Sequence, residues 1–204
     1  MTNNRIEICG GIATGKTTLA GLMAGVDVNI IHEDFAKNPF WEAYYKNPGA
    51  QYMFETETTF ILQHYHDIKR QVGKEKIVIA DYSFITDLAY ARIGLDGTKL
   101  EVFRSIYQLL KEEIGSPALV VHLRCNAAVQ ASRIAARGRE EENMIDLGFL
   151  EKLNQAIVDE ISELSPDLKI ININTESEDF AHNDIIREKW HNHIHSEVHR
   201  FSSM

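Results

Sequence analysis

Cysteine is scarce in this chain: only Cys9 and Cys125 occur among 204 residues. Two thiols do not build a disulfide framework, and neither has a metal-ligand partner at the usual spacing. Each adjoins an apolar run that reads as a strand, so both read as small buried residues in a reducing compartment. Positive charge is also in deficit, with 21 Lys and Arg against 30 Asp and Glu and a net charge of −9. Proteins that neutralise the phosphates of duplex nucleic acid need basic stripes, so no nucleic-acid partner is expected. A small phosphate ligand, which needs only a local cluster of donors, stays open. No apolar run is long enough to span a bilayer, and no membrane partner is expected. Met1-Thr2-Asn3-Asn4-Arg5 leads into a short apolar strand without the long stretch of a signal peptide, and a cytoplasmic location is expected. Internal repeats and low-complexity linkers are missing too. A length of 204 residues therefore fits one domain over 1–204 with a substantial core.

What the chain does have is alternation. Ile6–Cys9, Val28–Ile31, Ile77–Ala80, Ala118–Leu123 and Lys169–Ile173 are short, β-branched, nearly continuous apolar runs, as expected of strands covered on both faces. Helical patterns fall at Thr17–Ala24, Tyr52–Gln71, Ile85–Ile93, Leu100–Ile114, Ala127–Ala136, Leu147–Leu164 and Asp184–Phe201. Strand–helix alternation of this kind predicts an α/β fold in three layers, a parallel sheet flanked by helices with right-handed crossovers.

The first strand runs into Gly10-Gly11-Ile12-Ala13-Thr14-Gly15-Lys16-Thr17, the Gly-x4-Gly-Lys-Thr spacing of a P-loop, with Thr18 next. The glycines let successive N–H groups turn inward onto phosphate oxygens, and the helix that follows adds its positive end. Lys16 would reach the β- and γ-phosphates, and the Thr17 hydroxyl would ligate Mg²⁺. ATP with Mg²⁺ is the expected ligand, held by Gly10 through Thr18. Asp81 ends the third strand, where open α/β sheets bind ligands, and is a candidate metal ligand or catalytic carboxylate; a helix cap is the alternative. Glu33 and Asp34 follow the second strand. A carboxylate there can take the proton of a hydroxyl that attacks the γ-phosphate, or be part of an ordinary acidic loop.

Arg133, Arg137 and Arg139 lie in Arg133-Ile-Ala-Ala-Arg-Gly-Arg-Glu-Glu-Glu142, at a gapped helix end that suits a lid folding over phosphates. A solvated, salt-bridged helix is the alternative, and the P-loop favours the lid. His191, His195 and His199, with His193 nearby, occur on a C-terminal helix whose other face is apolar. They read as a mostly exposed face rather than a metal site.

Taken together these segments resemble the deoxynucleoside kinase family, from the P-loop to about Leu153. The stretch Arg133 to Leu153 is similar to the family's lid and following helix nearly residue for residue. The resemblance implies a five-stranded parallel sheet, frequent homodimers and a nucleoside substrate. It implies Glu33 as general base for the 5′-hydroxyl, Asp87 at the base site, Glu142 with a tyrosine (Tyr45 being the best candidate) on the sugar 3′-hydroxyl, and Arg133, Arg137 and Arg139 as lid arginines. Two departures stand out. Asp81-Tyr82-Ser83 has Tyr82 where the family has arginine, so a cation near the reacting hydroxyl is missing. Glu57 and His64 occupy positions where the family reads the base with glutamine and, often, arginine. An ionised Glu57 would accept both donors of a guanine edge, so a guanine preference is expected.

Three functions follow from this reading. The first is ATP-dependent phosphorylation of the 5′-hydroxyl of a deoxynucleoside, a purine and deoxyguanosine in particular, in nucleotide salvage. The second is a nucleoside monophosphate kinase. The third is a nucleotide-binding subunit with weak or lost transfer, for which Tyr82 is the supporting feature.

Overall fold

The computed structural model describes residues 4–46, 52–71, 73–74, 76–139, 142, 144–164 and 168–202, with the backbone alone for 44–46 and 198–202. Five strands, β1 (Arg5–Cys9), β2 (Val28–Ile31), β3 (Ile77–Ala80), β4 (Leu119–Arg124) and β5 (Ile170–Asn174), form one sheet in the order β2-β3-β1-β4-β5. All its pairings are parallel. The helices are α1 (Lys16–Leu22), α2 (Trp41–Lys46), α3 (Met53–Lys69), α4 (Phe84–Gly94), α5 (Gly97–Ile114), α6 (Ala127–Arg137), α7 (Leu147–Ser162) and α8 (Asp184–Ser202).

Side-chain alternation along the strands divides the core into two layers. Ile77 and Ile79 join Ile6, Ile8 and Val121 in a cluster with Leu19 of α1 and Ile194 of α8. Val78 and Ala80 point the other way, into a cluster with α3, α4 and α5. Val120 faces a third cluster on that same side, built with Ile85, Leu150 and Leu153. The central strands β1, β3 and β4 are thus buried along nearly their whole length, as their nearly continuous apolar runs suggested, whereas the edge strand β5 alternates buried isoleucines with exposed asparagines.

All five expected strands form within a residue or two of their expected ends, and so do most helix ends. α5 is the exception at its start: Gly97 opens it, three residues before Leu100, because extended Asp96 serves as its N-cap. α2 and a 3-10 turn at Phe35–Lys37 have no counterpart in the sequence reading. The helices beside the lid carry side-chain caps. Asn126 accepts from the Val129 N–H at the start of α6, and Asp146 accepts from the Phe149 N–H at the start of α7. Gly138 ends α6 in the left-handed conformation at φ 65°, so the chain turns out of the helix between Arg137 and Arg139.

Because β3 lies between β2 and β1, Asp81 at its end falls between Glu33 after β2 and the P-loop after β1. Both thiols are buried and free. Among the described residues no helix is long and apolar enough to cross a membrane.

Candidate active site

A cleft of about 530 Å³ opens at the carboxyl ends of the strands. One end is the P-loop. Gly15 caps α1 with φ 100°, a conformation that favours glycine, and Ala13 takes the left-handed φ of 57°. Gly10 lies so close to β4 that a Cβ there would meet the Leu123 carbonyl oxygen at 2.7 Å. Side chains from α6 and α7 hold the loop in shape. Gln130 Nε2 donates to the Ile12 carbonyl at 2.9 Å and is itself braced by Asn154 at 2.7 Å. Thr14 Oγ1 donates back to the Gly11 carbonyl at 2.9 Å.

Lys16 Nζ donates to the carbonyls of Gly10 and Gly11, at 3.0 Å each. Burial lowers its pKa, while Glu33, Cys9 and Asp81 pull it back up. Thr17 and Thr18 are exposed at the start of α1, and the Thr17 hydroxyl is accessible to a cation. The residues present thus fit a nucleotide polyphosphate with its metal: a strained cradle, an ammonium and a hydroxyl in one turn.

Arg133 lines the cleft, but its guanidinium is already engaged. Nη1 donates to the Ala13 carbonyl at 3.3 Å and to Thr175 Oγ1 at 3.0 Å, and Nη2 donates to the Thr175 carbonyl at 2.7 Å. It ties the P-loop to the turn after β5. That turn, Thr175 to His182, also lines the cleft, with Phe180 against Gly15, and the sequence reading missed it. Its position beyond the carboxyl end of a strand was the available signal.

At the lid, Arg137 Nε donates to Glu142 Oε2 at 3.0 Å and Arg139 Nη1 approaches Glu142 Oε1 at 3.5 Å. Glu142 is buried and holds both arginines at the cleft.

At the other end, Asp81 is buried and takes a role the sequence reading did not contain. Oδ1 accepts the backbone N–H of Glu33 at 2.7 Å, and Oδ2 accepts from His32 Nδ1 at 2.9 Å. The α4 cap is Ser83, whose Oγ accepts from the Thr86 N–H, so Asp81 is not the cap. Asp81 thereby fixes the segment that carries Glu33 into the cleft.

Glu57, Tyr82 and Asp87 converge on the same end and are buried. Phe35, Trp41 and Phe60, which the sequence reading left out, close it with aromatic surface. Tyr45 lies in α2, and its side chain is outside the described residues. The expectation of an ionised Glu57 meets a physical obstacle. Burial and the nearby charges of Asp87 and Glu33 push its pKa well above the usual carboxylate range, with only His64 opposing. The site favours the neutral acid, which offers one donor and one acceptor rather than two acceptors.

His64 is the centre of this cluster. Nδ1 lies 2.9 Å from Asp87 Oδ2 and Nε2 lies 3.3 Å from Glu33 Oε1. Burial works against its charge, but Asp87 and Glu33 outweigh burial and hold the imidazole up at about 10.

A glycine-rich loop with its lysine, two arginines and the Glu33 carboxylate thus line one cleft. The family model of deoxynucleoside kinases matches residues 6–199. The chain belongs to the deoxynucleoside kinase family. Among curated members it is 28% identical to the deoxyguanosine kinase of Bacillus subtilis over 186 residues, covering 87% of this chain and 89% of that one. It is 23% identical to the deoxyadenosine kinase of Dictyostelium discoideum over 180 residues, covering 85% and 73%. Its fold matches deoxyadenosine kinase from M. mycoides with bound dCTP at a TM-score of 0.76, covering 94% of this chain and 99% of that one at 23% identity. The same enzyme with products dCMP and a flexible dCDP gives a TM-score of 0.80, also at 23% identity and with 94% and 99% covered. Family members are phosphotransferases acting on a nucleoside hydroxyl, and this chain has the corresponding kinase fold.

Proposed function

We propose that the chain transfers the γ-phosphoryl group of ATP to the 5′-hydroxyl of a deoxynucleoside in nucleotide salvage. The observation that carries this reading is the pairing of Glu33 and the P-loop across one cleft, with Asp81 fixing the Glu33 backbone between them. Glu33 takes the 5′-hydroxyl proton, the 5′-oxygen bonds to the γ-phosphorus, and the bond to the β-phosphate oxygen breaks to release ADP. Lys16 and the P-loop N–H groups bind the β- and γ-phosphates. Arg137 and Arg139 stabilise the charge on the transferring group, and Arg133 shapes the nucleotide end. Thr17 would hold Mg²⁺ directly, with Asp81 supplying negative charge behind it. When bound, that ion offsets the charge of the phosphates.

For the acceptor we infer a purine, deoxyguanosine first. Support comes from the Bacillus subtilis relative, and Glu57, pushed toward its neutral acid, is compatible with a guanine edge by accepting from N1–H and donating to O6. The same acid with its roles exchanged complements adenine, so deoxyadenosine is the expected second substrate. Asp87 and Glu57 bind the base, and Glu142 with Tyr45 binds the sugar. A monophosphate acceptor is disfavoured, because Glu33, Glu57 and Asp87 put three carboxyl groups at the acceptor end. A homodimer fits the exposed apolar residues Leu62 on α3 and Val102 and Leu109 on α5, and the free thiols fit a reducing cytoplasm.

A coupled ADP-release assay with each common deoxynucleoside, ribonucleoside and monophosphate tests the reading. The expected result is turnover with deoxyguanosine above deoxyadenosine and little with monophosphates. ATP binding without turnover on any nucleoside overturns it in favour of a non-transferring subunit.

A further inference from the structure

Tyr82 stands where the family has an arginine, and three carboxyl groups meet at the acceptor end. A basic group lies among them. His64, on α3, is buried to 3% exposure. Its ring lies over that of Tyr82 at a centroid distance of 3.8 Å and an interplanar angle of 11°. Phe60 stacks at 5.9 Å with an angle of 26°. Nδ1 is within hydrogen-bonding distance of both carboxylate oxygens of Asp87, at 3.1 and 2.9 Å. Nε2 lies 3.3 Å from Glu33 Oε1, and among the described residues it is a buried polar atom with no aligned hydrogen-bond partner.

We propose that His64, as an imidazolium clamped between Asp87 and Glu33 on the face of Tyr82, is the fixed cation of the acceptor site and the positioning residue for Glu33. This rests on the reading of Glu33 as the acceptor base. A carboxylate that must work beside a polyphosphate is repelled by it. A cation on its far side offsets that repulsion and keeps the carboxylate aimed. Tyr82 supplies the platform: an aromatic face attracts a cation placed over it, and more so when water is excluded. Burial also pushes the Tyr82 hydroxyl up, so it adds no negative charge to the cluster.

The arrangement also restricts base reading by His64. Nδ1 is taken by Asp87, Nε2 faces Glu33, and one ring face is covered by Tyr82. The groups facing the imidazole are Asp87 from α4, Glu33 after β2, Tyr82 after β3 and Glu57 along α3 itself. Asp87 acts through hydrogen bonds and charge and Glu33 through its close approach to Nε2, and together they hold the imidazole well above its usual range.

The test is a histidine ¹⁵N NMR titration of the full chain together with steady-state kinetics, the His64 signal being assigned by its loss in His64→Gln. In the wild type, His64 should titrate above pH 8.5. Glu33→Gln should lower that midpoint by about one unit. His64→Gln should lower kcat about 100-fold, with the KM for ATP changed less than threefold. Titration below pH 7, a midpoint indifferent to Glu33→Gln, or a His64→Gln kcat within threefold of wild type overturns the proposal. The titrations need no turnover, so they decide the role of His64 even if no nucleoside proves to be a substrate.

Discussion

The ring of His64 lies on the ring of Tyr82, 3.8 Å away and 11° from parallel. That contact links the two departures of this chain from the family pattern. Tyr82 stands where an arginine is usual and His64 where a base-reading arginine is common, and the two changes meet face to face. A positive charge lost at the end of β3 is matched by one held on α3. The acceptor end thus keeps a cation, in a form that its neighbours control.

Replacing Glu33 separates chemistry from nucleotide binding. Glu33→Gln keeps the side-chain volume and the backbone hydrogen bond to Asp81. Turnover should fall about 10³-fold, within the usual span for loss of a positioned base. ATP affinity measured by calorimetry should change less than threefold. An equal loss in both would place Glu33 in nucleotide binding instead.

The lid arginines should differ in weight. Arg137 reaches Glu142 through both Nε and Nη2, whereas Arg139 makes one longer approach of 3.5 Å. Arg137→Ala should lower kcat about 10²- to 10³-fold, and Arg139→Ala should cost less. Steady-state kinetics at saturating ATP will rank the two.

The acceptor end should leave a signature in stability against pH. Glu57 has its folded pKa raised above the ordinary value of 4.5, so above that pH the folded state keeps a proton that the unfolded chain releases. Its contribution to stability is then lost progressively as pH rises from there. Glu57→Gln removes that loss, so its melting temperature should exceed the wild type's by more at pH 8 than at pH 5. His64 acts in a later window. Its stabilising contribution is fully present below 6.5 and is lost as pH rises towards about 10. His64→Gln should flatten the thermal stability curve between those limits. Melting curves at half-unit pH steps check both.

Gly10 should tolerate no side chain. A Cβ would meet the Leu123 carbonyl and Thr14 Oγ1, both at 2.7 Å, where φ is 154°. Gly10→Ala should destabilise the fold by about 1–3 kcal/mol, the usual cost of overpacking. It should also weaken ATP binding, because the loop must move to relieve the contact. Denaturant midpoints and nucleotide titration measure the two effects.

The layered fold was legible because the strands read as nearly continuous, β-branched apolar runs, the pattern of strands covered on both faces, most completely in β3. The P-loop was legible because its spacing encodes backbone geometry: Gly15 at φ 100° and Gly10 against β4 are positions where other residues do not fit. α2 was not legible. Its six residues, Trp41–Lys46, are too few to show a period. The turn around Phe180 was missed for a related reason, since its place in the cleft comes from packing on Gly15 rather than from a local motif.

The sequence by itself determined the elements, the phosphate cradle and the residues at strand ends, because these depend on neighbours a few positions away. It also showed that Tyr82 and Glu57 were unusual. Only the tertiary structure decided what the side chains at the site touch. Asp81 proved to hold the Glu33 backbone, 48 positions distant along the chain. Arg133 proved to tie the P-loop to the turn after β5. Glu57 proved to sit where burial favours its neutral acid, and His64 where two carboxylates favour its cation. The charge of a buried group depends on what surrounds it in three dimensions, and residue types in a row do not contain that information.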